Sequence, residues 1–201
     1  MKSNPFSTRF IRPGAIPFLF AEGESARALV EKLRSHHWQG QITGAHGSGK
    51  STLLAALLPA LESAGRKVIS LGLHQGQRRL PPLDRESITA TTQLVIDGFE
   101  QLSWWSRWRV RWLCWRRGAG LLVTAHADLG LPTISQTHPS EALAQRVVNA
   151  LLLADEREIA PADVSRAYAA AGGNLRETLF ALYDVYQAKR AQGDLSPTDH
   201  V

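Results

Sequence analysis

Residues 40–61, GQITGAHGSGKSTLLAALLPAL, hold the feature that most restricts the fold. A short β-prone run leads into Gly44, Gly49, Lys50 and Ser51 in the spacing G-x-x-x-x-G-K-[ST], and a helical pattern follows. Glycines let successive backbone amides turn toward a chain of phosphates, and the helix behind them presents its positive N-terminal end. In such a loop Lys50 reaches the β and γ phosphates and the Ser51 hydroxyl sits on Mg²⁺. The nucleotide cradle is therefore expected to comprise Gly44, Ala45, His46, Gly47, Ser48, Gly49, Lys50, Ser51 and Thr52, with His46 a tolerated variable position. A chance loop is the bland alternative, and strand, loop and helix all being present argues against it.

A second element is TTQLVIDGFEQL. Leu94, Val95 and Ile96 form a run suited to a buried strand, and Asp97 ends it where a carboxylate can hold Mg²⁺ through water. The next residue is Gly98, and the nearest acid is Glu100. On its own placement Glu100 reads as a helix N-terminal acid favoured by the dipole, and a catalytic acid would need the same placement. A third strand, GLLVTAH, ends in Thr124 and His126. Ligands bind at the carboxyl ends of parallel strands, so these two are candidates for contact with the nucleotide; a satisfied surface histidine is the alternative for His126.

Strand candidates QGQIT, KVISLGL, QLVID, GLLVTA and PTIS alternate with helical segments, which predicts an α/β fold with a mainly parallel sheet covered on both faces. The expected layout is an N-terminal arm (1–22), an α/β core (23–138), a small α-helical lid (139–190) and a frayed tail (191–201). Within the lid, Leu143, Val147, Ala150 and Leu151 are expected to share one face, as are Leu175, Leu179, Leu182, Val185 and Tyr186. Asn174 is a candidate N-cap with Glu177 at the capping-box position. In the arm, Ile16, Phe18 or Phe20 either closes over a base or packs on the core.

The phosphate loop, the hhhhDGhE pattern ending in Glu100, and GGNLRE near residue 174 together resemble P-loop NTPases of the additional-strand type, specifically the AAA+ and STAND classes. The resemblance implies a three-layer sandwich followed by a helical lid, with ATP and Mg²⁺ as ligands. It also implies Glu100 in catalysis, a polar sensor at Thr124 or His126, and Arg176 as the lid arginine that touches the γ-phosphate. For Arg176 the alternative is a first-turn surface residue, where a cation is mildly unfavourable. Many related ATPases carry a glutamate where this chain has Gly98. Residues 118–145 also contain neither lysine nor arginine, where hexameric motors carry the finger used by a neighbouring site. The expectation is thus a slow ATPase that switches a partner or its own assembly, or else an ATP-holding interaction module without turnover. Adenine is favoured by the resemblance and by the lack of an N-K-x-D motif; a small kinase would want an arginine-bearing lid in 118–145.

One stretch is unaccounted for by nucleotide chemistry. SWWSRWRVRWLCWRR, residues 103–117, carries five tryptophans and five arginines, and no acid falls between Gln101 and Ala127. The net charge of +5 lies here: 23 basic residues less these five arginines leaves 18, against 18 acidic residues elsewhere. On a helix Trp104, Trp105, Trp108, Trp112 and Trp115 share an arc of about 100°. Either that face packs on the sheet with arginines at its margins, or Val110, Leu113 and Cys114 do and the indoles point outward. An outward face would contact a protein partner, an anionic membrane surface or, less favourably, nucleic acid. No apolar run reaches bilayer-spanning length and a single cysteine excludes an internal disulfide, so the cytoplasm is the expected compartment. The oligomeric state is left open.

Overall fold

The computed structural model describes residues 4–84, 86–152 and 159–193 of the 201-residue chain. All five apolar runs become strands: β1 (Gln39–Gly44), β2 (Lys67–Gly72), β3 (Thr92–Asp97), β4 (Gly120–Ala125) and β5 (Thr133–Thr137). They form one all-parallel sheet in the order β2-β3-β4-β1-β5, so β4 separates β1, which leads into the glycine-bearing loop, from the strand that ends in Asp97. β4 is buried along its whole length, as expected of a strand covered on both faces and written as an unbroken apolar run.

The connections from β1 to β2 and from β3 to β4 cross the sheet in opposite directions. Right-handed crossovers therefore put their helices on opposite faces. α3 (Lys50–Ser63) buries Leu53, Leu54, Leu57 and Leu61, and packs beside α2 (Ala26–Ser35), whose Leu29, Val30 and Leu33 are buried. Gly40 admits α2 to the sheet: a Cβ there would lie 2.8 Å from Leu33 Cδ1 and 2.4 Å from Ile134 Cγ1. On the other face Leu94, Ile96, Leu121 and Val123 meet Val110 and Cys114 of α4 (Trp104–Arg117), together with Phe99 and Leu102. Burial pushes the Cys114 thiol up to about 12, so it stays protonated and packs as a small apolar group.

α4 starts at Ser103, whose hydroxyl accepts from the Ser106 amide, and stops at Gly118 in the left-handed conformation. Of the two orientations open to it, the one with the tryptophans on the sheet is not adopted. Trp104, Trp105, Trp108, Trp112 and Trp115 are 62%, 66%, 50%, 46% and 78% exposed. A face of Leu, Ile and Val already fills its own side of the interface, and only small side chains let the helix settle close above it. The connection from Gly72 to Thr92 holds no helix among its described residues, although Ile88 from it is fully buried under the sheet face.

The chain divides into this sheet unit, residues 20–45 and 50–137, and a second unit made of the N-terminal residues to Leu19, His46–Gly49 and the residues from His138. The second unit contains α1 (Thr8–Ile11), α5 (Glu141–Leu151), α6 (Pro161–Ala170) and α7 (Leu175–Gly193). Its core joins Ala144, Val147 and Val148 to Leu175, Leu179, Leu182 and Tyr186. The α5 stripe is rotated from the expected one: Ala150 is exposed and Ala144 is inside. From the arm, Phe6 is buried edge-on against Tyr186 at 6.0 Å and Asn4 donates to the Tyr183 carbonyl. The expected fraying concerns residues that, beyond Gly193, lie outside those described.

Asp163 ties α6 to α7. Its carboxylate is buried, accepts from Lys189, the Ala160 amide and Arg166, and is held at about 2, chiefly by Lys189. Because the folded value is depressed, the stability from these contacts is complete above the ordinary carboxylate value of about 4 and is lost as pH falls toward about 2. Helicity followed by circular dichroism is expected to fall over that window in the wild type, with a smaller acid-dependent loss in Asp163→Asn. For α4, a Trp108→Ala, Trp112→Ala variant is expected to keep its melting temperature within a few degrees, whereas Val110→Ala should cost about 2 kcal/mol in denaturant unfolding.

Candidate nucleotide-binding site

The sheet unit gathers most of the sequence-predicted site residues at the carboxyl ends of β1, β3 and β4. β1 ends at Gly44, and α3 begins six residues later at Lys50, which is buried. The Lys50 ammonium donates to the carbonyls of Gly44 at 2.8 Å and Ala45 at 2.7 Å, and its Nζ lies 3.3 Å from His126 Nδ1. Ser51 and Thr52 are half-buried on the first turn of α3. Between Ala45 and Lys50 the chain passes through Gly47 and Gly49, at φ 69° and 93°, conformations that side chains with a Cβ rarely adopt.

His46, Gly47, Ser48 and Gly49 group with the helical unit. There a Cβ on Gly47 would lie 1.9 Å from Asn174 Oδ1, so this glycine is required by close approach as well as by its dihedral. Asn174 caps α7 as expected, its Oδ1 accepting from the amides of Arg176 and Glu177. Arg176 is exposed on that first turn.

β3 and β4 run in register, Ile96 opposite Val123, which brings Asp97 beside Thr124 at the sheet end. The buried Thr124 hydroxyl donates to Asp97 Oδ1 at 2.5 Å and accepts from the Gly98 amide at 2.8 Å. Thr124 thus fixes the Asp97 carboxylate and the start of the following turn. Gly98 is at φ 78°, and a Cβ there would meet the Leu73 carbonyl at 3.2 Å. This accounts for the departure at this position, because a glutamate would be strained in the left-handed region. From Gly98 the chain enters a single 3-10 turn, Phe99–Gln101, that buries Phe99 and swings Glu100 back to the sheet end.

There Glu100 Oε1 lies 3.1 Å from His126 Nε2. The other oxygen, Glu100 Oε2, is buried and has no hydrogen-bond partner among the described residues. A buried carboxylate oxygen of this kind is costly to keep unless something polar joins it. His126 also approaches the Gly44 carbonyl at 3.3 Å through Nδ1, so one imidazole links the lysine of the loop to the acid of the turn. The sequence names His126 and Glu100 separately. Their pairing was not foreseen, and its only signal is that both follow the ends of strands that prove to be neighbours.

For a divalent cation the available donors are the Ser51 hydroxyl and the Asp97 carboxylate, both hard oxygens. That set fits Mg²⁺, which takes one or two protein oxygens and fills its octahedron with water and phosphate.

No family model matches the chain, and no curated protein matches it. Among solved structures, that of C. elegans PCH-2 is similar over 82% of this chain and 67% of that chain, with a TM-score of 0.39 and 10% sequence identity. A likeness this loose carries no functional argument.

Thr124→Val removes the acceptor for the Gly98 amide and the donor to Asp97. It is expected to cost about 1–3 kcal/mol in unfolding free energy, whereas Thr124→Ser should restore most of it.

Proposed function

We propose that this chain is a P-loop NTPase of the additional-strand type, similar to AAA+ and STAND modules, that binds Mg-ATP and hydrolyses it slowly as a switch for a partner or for its own assembly. The observation that carries the reading is the convergence of Lys50, Asp97 and Glu100 at one end of a parallel sheet in which β4 separates β1 from β3. That strand order supports the additional-strand reading, the extra strand being β4. Residues 139–190 then serve as the lid, with Arg176 its candidate γ-phosphate contact.

In this reading the loop amides and Lys50 bind the β and γ phosphates, and Ser51 and Asp97 hold Mg²⁺. When bound, the ion neutralises charge on the phosphate oxygens. Thr124 keeps Asp97 in one orientation, so the carboxylate is preorganised before ligand arrives. Glu100 accepts a hydrogen bond from the attacking water and orients it, using the oxygen that His126 leaves unpartnered. Slow turnover follows from the lack of any lysine or arginine in 118–145, because a finger supplied there is worth roughly a thousandfold or more in rate.

The deciding experiment is steady-state phosphate release from Mg-ATP, with nucleotide binding measured alongside. The wild type is expected to turn over. Glu100→Gln should bind ATP with little change and lose about a hundredfold or more in rate, on the magnitude of general-base catalysis. Lys50→Ala should lose binding itself. Tight binding without phosphate release in the wild type would replace the switch with an ATP-holding interaction module, and absence of binding would end both readings.

A further inference from the structure

The nucleotide chemistry leaves the outer face of α4 unused. It is about 20 Å long at the rise of an α-helix, and all five of its indoles point away from the sheet. Four of them follow one another in ring contacts: Trp104 and Trp105 meet edge to face at 4.7 Å, Trp105 and Trp108 at 6.5 Å, and Trp108 and Trp112 lie parallel at 6.3 Å. So much apolar area facing water on a ridge is a binding surface in need of an occupant.

Charge decides which occupant. Arg109, Arg116 and Arg117 are exposed along the same helix, and Arg116 lies over the Trp112 ring at 5.5 Å. The preceding connection adds to them: the Arg78 carbonyl accepts from the Ser103 amide and the Ser106 hydroxyl, which sets the exposed Arg78 at the helix start. Beside Trp104 and Trp108 opens a cleft lined by Arg107, whose Nε is buried without a hydrogen-bond partner among the described residues. Arg111, in the same cleft, is spent on the carbonyls of Leu129 and Gly130. Asp128, the cleft's carboxylate, is spent on the Gln41 side chain and the Gly130 amide, which hold it below the usual carboxylate range.

A second copy of the chain would bring two sets of these arginines together and is disfavoured by like charge. Single-stranded nucleic acid is held by rings spaced along a basic groove, whereas these indoles crowd one face of one helix. A bilayer rich in anionic phospholipid meets both needs at once. Indoles sit at the depth of the headgroups, the arginine stems lie alongside them, and guanidinium groups reach the phosphates and carboxylates. We propose that the tryptophan face of α4, flanked by Arg109 and Arg116 and with Arg107 turned to a headgroup, docks this protein on an anionic membrane surface. The docking goes beyond the ATP reading and does not depend on it.

The test is sedimentation with vesicles of phosphatidylcholine containing about 30% phosphatidylserine, compared with phosphatidylcholine alone, at roughly 0.1 M and 0.5 M salt. Binding is expected to the anionic vesicles only, to weaken with salt, and to shift indole emission to the blue. Arg109→Gln with Arg116→Gln should lower the partition coefficient about thirtyfold, at about fivefold per arginine. Trp105→Ser with Trp115→Ser should lower it roughly tenfold or more, through lost apolar burial.

Melting temperature and ATP binding, measured on the same samples, are expected to be unchanged, so failure of docking and failure of the nucleotide reading are distinguished. Should the paired tryptophan variant not fold, Trp115→Ser alone, at the most exposed position, takes its place. No sedimentation with anionic vesicles, equal binding to neutral ones, or binding indifferent to the tryptophans would overturn the proposal. So would tryptophan-dependent dimerisation, or binding of a single-stranded oligonucleotide, in the absence of vesicle binding.

Discussion

The position of β4 is the constraint on which the rest hangs. Buried throughout, it pairs in parallel on both sides, Leu121 standing between Gln39 of β1 and Leu94 of β3. That register puts Thr124 beside Asp97 and carries His126 to the mouth of the phosphate loop. A site whose members come from three strands is therefore positioned by backbone pairing, and its loops need only complete it.

Gly98 shows how a local conformation redirects chemistry. At the end of β3 the chain has to leave the sheet, and a left-handed residue turns it at once into the short 3-10 turn. With glycine there, the next acid along the chain is Glu100, which the turn brings against His126. The His126 imidazole then lies against groups on both sides, Lys50 and Glu100.

Much of this was legible in the sequence. All five strands were readable, because runs such as LLVTA and LVI are buried on both faces and nothing else explains them. The glycine-bearing loop between β1 and α3, and the end of β3 at Asp97, were readable from the glycines and the apolar run that mark them. The orientation of α4 was not, since a helix with two apolar faces carries the same period whichever face is inward. Only the sheet, already filled by Leu94, Ile96, Leu121 and Val123, selects the small side chains of Val110 and Cys114. The Glu100 and His126 pair was equally hidden, because it depends on which strands become neighbours.

The seating of α4 on Val110 and Cys114 has a consequence for how such a chain can change over time. Because those two small residues hold most of the contact with the sheet, the outward positions contribute little to folding. They are free to drift, or to be selected, on the merits of whatever they touch. The same α/β core could then be readdressed to a new target by rewriting one face of one helix.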